Sequence, residues 1–285
     1  MVYLVLVYFC NSMDLTSNNT QAQYQGYLNT PLLWMNPVFG LKQLKIPTKI
    51  TSVFNETIPN NLRLGKRVER FVSHDFKQHE TIDILIENIQ IQNEKITIGE
   101  LDCILKLDKE PIHLEIVYKF YLFDKKVGTT EFDHWIGPNR NDSLVAKLTK
   151  LKEKQLPLLY NPHTKPILDS LNLKIDDLKQ FVCFKAQLFI PYQKEVKFTR
   201  LNKECVYGFY VHISEVIQFT DCKFYIPSKI NWLLEVHTQV KWLTYSVFLD
   251  EIHQITKKKT APLCWIKFPN GKLQKFFVVW WIMPN

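Results

Sequence analysis

The hydrophobic period of the chain changes from that of a helix to that of a strand near residue 80, and this change constrains the fold most. Residues 61–78 carry apolar side chains at helical spacing along one face. In residues 82–91, apolar residues alternate with polar ones, as in a half-buried strand. The sequence therefore predicts a helix followed directly by a β-sheet.

Two further strands and a second helix are predicted downstream. Residues 98–107 alternate in the same way, and residues 112–122 are apolar on both sides, which is typical of a central strand. Short turns join these segments, so we expect an antiparallel meander. A helix capped by Asp142 or Ser143 should then run to Pro157, before a strand at residues 181–190. The predicted order is helix, three strands, helix, strand.

The chain changes character after about residue 194. Short aromatic, strand-like runs follow one another there, and residues 232–248 are compatible with either a helix or more strand. We therefore predict an α/β (α+β) fold in three parts. Residues 1–60 form an N-terminal extension and docking segment, residues 61–193 a core, and residues 194–285 a mostly β C-terminal region packed on the core.

Composition and charge narrow the class of protein. Apolar residues make up 46% of the chain and charged residues 22%, as in globular rather than disordered proteins. The net charge of +8 suits a polyanionic partner such as nucleic acid, although richness in lysine alone would also produce it. The six cysteines form no CxxC pair and no zinc-ligand spacing, so we expect a reducing compartment, the cytoplasm.

The two ends of the chain bear on membrane association. Residues 2–10 are apolar but too short to span a bilayer, and they lack a basic segment before them. We expect translation to begin at Met13, with a poor signal peptide as the alternative. Residues 276–283 are also too short for a membrane helix, so no membrane partner is expected.

Charged residues inside the predicted strands point to a chemical site. Asp102 lies in one apolar strand, and Glu115 and Lys119 lie in the next. Burying such groups is costly unless they are paired or bind a metal, and two converging carboxylates suit Mg²⁺. The alternative is a structural ion pair between Glu115 and Lys119, with Asp102 incidental. His113 and His134 flank these residues, and each is expected to be a surface or a satisfied core histidine.

Several stretches resemble one known family. Residues 65–71, 99–105 and 114–120 resemble the three core motifs of an uncharacterised bacterial family within the PD-(D/E)XK, restriction-endonuclease-like nuclease superfamily. Residues 135–142 resemble its fourth block, and residues 28–34 and 276–284 extend the likeness over nearly the whole chain. The resemblance implies a restriction-endonuclease-like core of order αβββαβ and a metal-dependent nuclease acting on DNA, in repair or defence.

The resemblance also implies roles for individual residues. Asp102 and Glu115 would be the ligands of Mg²⁺ or Mn²⁺. Lys119 would orient the attacking water or steady the charge on the phosphate, and Glu69 on the first helix would be an auxiliary catalytic acid. In the superfamily the glutamate and the lysine are two residues apart, but Val117 stands at that position here.

The position of Lys119 sets a geometric condition. In a regular strand its Cα should lie about 13 Å from that of Glu115, at roughly 3.3 Å per residue. We therefore predict that the Lys119 ammonium turns back toward the carboxylates of Asp102 and Glu115. The alternative is that it points away and pairs with another acid, such as Glu131 or Asp133.

Five residues are candidates for contact with nucleic acid. Asn139 and Arg140 lie in a loop before a helix N-terminus, where phosphate is readily bound. Lys147, Lys150 and Lys154 follow along one side of the predicted helix and could contact backbone phosphates. Loop polarity and a merely solvated helix face are the competing interpretations.

Two other functions remain open from the sequence. A catalytically inactive protein with the same fold could bind nucleic acid without cleaving it, and metal affinity would separate it from the nuclease. A protein-interaction module could use its aromatic C-terminal region, and salt-dependent nucleic-acid binding would separate that module from the inactive binding protein.

Overall fold

The computed structural model describes residues 19–46 and 53–281 and has the predicted α/β class. The expected start at Met13 falls outside the described residues. Helix α1 covers residues 19–29, and the others are α2 (Leu64–Phe76), α3 (Leu144–Lys150), α4 (Lys165–Ser170) and α5 (Tyr245–Lys257). The strands are β1 (Ile82–Asn93), β2 (Ile96–Leu107), β3 (Glu110–Phe123), β4 (Trp135–Ile136), β5 (Lys179–Pro191), β6 (Val206–His212), β7 (Lys223–Tyr225), β8 (Leu263–Lys267) and β9 (Leu273–Val279).

All nine of these strands belong to one sheet. Its order is β1-β2-β3-β5-β6-β9-β8-β7, and the short β4 pairs with β3. Strands β1 to β3 form an antiparallel meander, while β3, β5, β6 and β9 run parallel to one another. Residues after 194 therefore extend the sheet of the preceding region and do not form a separate one.

The second predicted helix departs from regular geometry. The side chain of Ser143 caps it by accepting a hydrogen bond from the Ala146 amide at 3.2 Å. The α-helix ends at Lys150, and a π-helical segment (Leu151–Gln155) and a 3-10 segment (Leu156–Tyr160) follow. Pro157 has no amide hydrogen to donate and disfavours a continuous helix, which accounts for the tightened end of the segment.

Helices and loops cover both faces of the sheet because the side chains of β3 alternate between them. Leu114 and Tyr118 pack with α1 and α2 on one face, while Val117 and Tyr121 pack with α3 on the other. The segment after α1 docks against β5, where the Leu33 amide donates to the Phe184 carbonyl at 2.9 Å. Glu115 shares a face with Val117, so it points toward α3.

A buried polar chain crosses the sheet from β9 to the end of α1. The Lys275 ammonium donates to the Gln187 amide oxygen at 3.0 Å and to the Trp232 carbonyl at 2.8 Å. Gln187 donates to the Tyr118 hydroxyl at 2.9 Å, which lies 2.7 Å from the Thr30 hydroxyl. Burial lowers the pKa of Lys275 to about 7. The network ties the C-terminal region to the centre of the sheet.

A pair of glycine substitutions tests this shared sheet. A Cβ added to Gly208 on β6 would lie 2.0 Å from the Lys275 carbonyl oxygen on β9, whereas one added to Gly65 in α2 would meet nothing within 4 Å. Gly208→Ala should therefore lower the free energy of unfolding by at least about 2 kcal/mol. Gly65→Ala should leave it unchanged or raise it by up to about 1 kcal/mol. Urea denaturation measures both, and equal stability of the two variants would contradict the pairing of β6 with β9.

Candidate functional site

The site begins where strand β2 parts from strand β3. Their ladder runs from the Leu107–Glu110 pair to the Cys103–Leu114 pair and ends there. At the next position the Asp102 carboxylate accepts a hydrogen bond from the Ile116 amide at 2.8 Å. The side chain thus replaces the strand carbonyl that would otherwise satisfy this amide. Beyond this point the β1–β2 hairpin continues as an arm that is no longer paired to β3.

Glu115 is the second acid of the site, and it is fully buried on β3. Its Oε2 accepts a hydrogen bond from Gln155 at 2.5 Å, and its Oε1 lies 3.3 Å from His113 Nε2. The Gln180 amide nitrogen lies 2.9 Å from His113 Nδ1, so Nδ1 accepts and the ring proton sits on Nε2, facing Glu115. Burial lowers the pKa of His113 to about 4, which keeps the ring neutral. His113 is therefore a satisfied core histidine that orients Glu115.

The three acids of the site have raised pKa values, because burial disfavours the ionised carboxylate. Burial raises the pKa of Asp102 to about 7, and the neighbouring Glu115 carboxylate adds to the rise. Burial also raises the pKa of Glu115 to about 7, although the attraction of Lys147 opposes it. Glu69 on α2 has a pKa raised to about 7, again mainly by burial. Near neutral pH these carboxylates need either protons or a cation.

Two lysines supply positive charge beside these acids. Lys147 on α3 donates to the Gln155 amide oxygen at 2.6 Å. Burial lowers its pKa to about 8, while the charges of Glu115 and Asp102 favour the protonated form. Lys66 donates to Glu69 and to Asn88, both at 2.8 Å, and it also binds Glu100. Lys147 is therefore the cation of the Asp102–Glu115 pair, and Lys66 is that of Glu69.

The orientation predicted for Lys119 is wrong. Its ammonium lies 2.6 Å from the Asp142 carboxylate and does not turn back toward Asp102 and Glu115. The alternative is confirmed in that Lys119 pairs with another acid. That acid is neither Glu131 nor Asp133, since Glu131 accepts hydrogen bonds from residues 199–201 and Asp133 accepts them from residues 129–130.

Lys147 occupies the place expected for Lys119, and the sequence carries a signal for it. Lys147 follows Leu144 by three residues and precedes Leu151 by four, and both leucines are buried. That spacing places Lys147 on or beside the buried face of its helix. The predicted contact of Lys147 with phosphate stays a prediction, and the position of Lys147 places it beside Glu115 and Asp102 as well.

Asn139 and Arg140 make internal contacts with distant parts of the chain. The Asn139 side-chain oxygen accepts a hydrogen bond from the Ala261 amide at 2.8 Å. Arg140 donates to the Asp124 carboxylate at 2.7 Å, and its guanidinium lies 4.8 Å from the centre of the Trp281 ring. Both side chains thus fasten the loop before α3 to neighbouring elements. Their predicted contact with nucleic acid gains no support from this geometry and stays a prediction.

A pocket of about 510 Å³ opens beside Asp102. One side is formed by β2 and the other by the irregular segment that follows α3. Lys150 and Lys154 line it, and their predicted role in phosphate binding stays a prediction. Gln155 also lines it and donates to Glu115, so Gln155 stands between the pocket and this buried carboxylate. The remaining lining residues are Ile98, Gly99, Glu100, Pro157, Leu158 and Asn161.

Comparison with known proteins places the chain in a family. A family model described as "Domain of unknown function (DUF1853)" matches residues 6–279. The chain belongs to this family. No curated protein and no solved structure matches it. Within residues 19–46 and 53–281 of this DUF1853 protein, no helix has the length and apolar character needed to cross a membrane.

Asp102 and Glu115 are the side chains of this DUF1853 protein that could hold a metal ion. In the part of the chain that the structure describes, no group of three or more His, Cys, Asp or Glu side chains is arranged to hold a metal. A structural zinc site needs such a group. Mg²⁺, in contrast, keeps several waters and is commonly held by one or two carboxylates. The buried pair of Asp102 and Glu115, short of positive charge, suits Mg²⁺ or Mn²⁺.

The raised pKa of Asp102 predicts a stabilising substitution. Burial raises this pKa from 3.8 to about 7, so stability present at low pH is lost as the pH rises through about 7. Asparagine can keep the hydrogen bond from Ile116 and carries no charge. Asp102→Asn should therefore raise the free energy of unfolding at pH 8, in EDTA, by about 1–3 kcal/mol, and the gain should shrink by pH 5.

Thermal and urea denaturation at the two pH values would measure this gain. The matched control is Asp169→Asn, because Asp169 forms an exposed ion pair with Lys165 four residues earlier in sequence. It should change stability by less than about 0.5 kcal/mol at both pH values. A loss of stability in Asp102→Asn at pH 8 would show that the Asp102 carboxylate is not penalised by burial.

Proposed function

We propose that this protein is a metal-dependent nuclease with a restriction-endonuclease-like PD-(D/E)XK core, which hydrolyses phosphodiester bonds in DNA. One observation carries the proposal. Asp102 from β2, Glu115 from β3 and Lys147 from α3 come together next to a pocket lined by Lys150 and Lys154. Carboxylates for a metal, a cation for a phosphate and a basic pocket wall are the parts that such hydrolysis needs.

Each residue has a role in this proposal. Asp102 and Glu115 would hold Mg²⁺ or Mn²⁺, which when bound supplies a Lewis acid that activates water. Lys147, with a pKa of about 8, stays largely protonated at neutral pH and would steady the negative charge of the phosphate. His113 and Gln155 orient the Glu115 carboxylate through their hydrogen bonds. Glu69, which forms an ion pair with Lys66, would be an auxiliary acid near the metal.

The order of elements supports the proposed core. Helix α2 precedes the β1–β3 meander, and α3 and β5 follow, with the short β4 before α3 and α4 after it, which is compatible with the order αβββαβ. The lysine missing from the position of Val117 is replaced by Lys147 from α3. We propose a role in DNA repair or defence. The five cysteines within the described ranges are buried free thiols, which is compatible with a location in the cytoplasm.

A catalytically inactive nucleic-acid-binding protein is the second candidate. One observation favours it, since both Glu115 oxygens already face hydrogen-bond donors and Gln155 separates them from the pocket. A metal would have to compete with the Gln155 amide for Glu115. The protein-interaction alternative is weaker, because aromatic side chains of the C-terminal region, such as Phe224 and Phe276, are fully buried.

Cleavage assays on two matched lysine variants test the proposal. Lys147→Met should lower the rate of Mg²⁺- or Mn²⁺-dependent DNA cleavage about 100-fold, because it removes the cation beside the carboxylates. Lys119→Met should change the rate less than about threefold, because Lys119 pairs with Asp142 instead.

Asp102→Ala and Glu115→Ala should each abolish cleavage while the protein stays folded. Parental rates in both alanine variants would show that the site is wrong.

Phosphate binding by the pocket wall is tested by titration. The double substitution Lys150→Gln, Lys154→Gln should weaken DNA binding across sequences and reduce the slope of log K against log salt by up to about 2. Lys152→Gln is the control, because Lys152 is exposed in the same π-helical segment but does not line the pocket. Unchanged affinity in the double variant at several salt concentrations would mean that these lysines are only solvated.

A further inference from the structure

Of the proposed reacting centre, Asp102 lines the pocket, whereas Glu115 lies behind Gln155. Glu115 is fully buried, and Asp102 is reached between strand β2 on one side and residues 150–158 on the other. The two walls touch, because a Cβ added to Gly99 would lie 2.7 Å from a terminal carbon of Leu158. A phosphate that reaches Asp102 through the pocket therefore enters the space between these two walls.

The size of the pocket limits what can carry that phosphate. Its volume of about 510 Å³ falls in the range of pockets that enclose one small molecule. One nucleotide is a ligand of that size. In a continuous duplex the bases are paired and stacked inside a rod that is far wider than this space. The rod would have to be opened before one of its nucleotides could enter.

The lining of the pocket has an apolar part and a charged part, as a nucleotide has an apolar base face and a charged phosphate. Ile98, Pro157 and Leu158 supply an apolar surface, and Ile98 is 40% exposed there. Lys150 and Lys154 supply positive charge. An unpaired nucleotide presents a base with an apolar face and a charged backbone, and sites for single strands combine a packing surface with a basic groove.

We infer that the substrate of this site is single-stranded DNA, either free or as an unpaired tail on a duplex, and that one nucleotide packs against Ile98 in the pocket. The inference rests on the proposed nuclease function and narrows its substrate. The base lies against the apolar wall, and its phosphate faces the lysines and Asp102. An intact blunt duplex keeps its bases paired and stacked, so it offers no single base to the pocket.

Three DNAs of one sequence would test the inference: a single strand, a blunt duplex and a duplex with an unpaired tail. The full chain is incubated with each in Mg²⁺ or Mn²⁺. Cleavage of the single strand and of the tail should be at least tenfold faster than that of the blunt duplex. Binding is measured in parallel by fluorescence anisotropy with the Asp102→Asn variant, so that cleavage does not interfere.

A matched pair of isoleucine variants locates the contact. Ile98→Ala should weaken binding of the single strand about five- to tenfold, because it removes the surface against which the base packs. Ile96→Ala should leave binding unchanged, because Ile96 is 71% exposed on the same strand and does not line the pocket. Thermal denaturation of both variants checks that each remains folded.

The outcomes separate this inference from the proposed function. If the blunt duplex is cleaved as fast as the single strand, the single-strand inference fails and the nuclease stands. If no DNA is cleaved with either metal, the nuclease proposal fails and binding decides the inference. Tighter binding of the single strand that weakens in Ile98→Ala then supports it. Equal binding of all three DNAs, or equal effects of the two isoleucine variants, overturns it.

Discussion

The hydrogen bond from the Ile116 amide to the Asp102 carboxylate allows two paired strands to separate inside a sheet. When a strand separates from its neighbour, backbone amides lose their hydrogen-bond acceptors. Each buried amide then needs another partner. Here a side chain supplies that partner at the point where the β2–β3 ladder ends. The separation makes room for Gln155 and Lys147 to approach Glu115 from α3 and the segment after it. The Asp102 carboxylate therefore both satisfies a backbone amide and contributes to the candidate site.

The same arrangement weakens the folded protein. Asp102, Glu115 and Glu69 all have pKa values raised to about 7, mainly by burial, so each opposes folding when it is ionised. Lys147 and Lys66 offset part of this penalty. Sites that bind ions or react commonly keep such unfavourable groups because removing them would remove the function. The excess of buried acid is the physical reason to expect a divalent cation.

Much of the fold follows from periodicity, but the site follows only in part. Helix α2, strands β1 to β3 and β5 lie where the hydrophobic period places them, because their faces are buried against one core. The short turn between β2 and β3 predicts that Asp102 and Glu115 lie close together. The orientation of Lys119 could not be read, because the sequence does not show that Asp142 lies within its reach. The spacing of Lys147, Lys150 and Lys154 predicts one polar side of the helix, whereas the spacing of Lys147 from two buried leucines places it beside the core.

Strand β9 lies in the interior of the sheet between β6 and β8, although residues 213–272 separate it from β6 in the chain. Contacts between such distant residues slow folding because a long loop must close first. At roughly 5–20 residues per second, the ribosome takes about 3–12 seconds to make that stretch. During this time the nascent protein exposes the open edge of β6, and Lys275 is not yet present to bind Gln187. Aggregation during synthesis is thus a hazard built into this topology, and a chaperone that shields strand edges would raise the yield of folded protein.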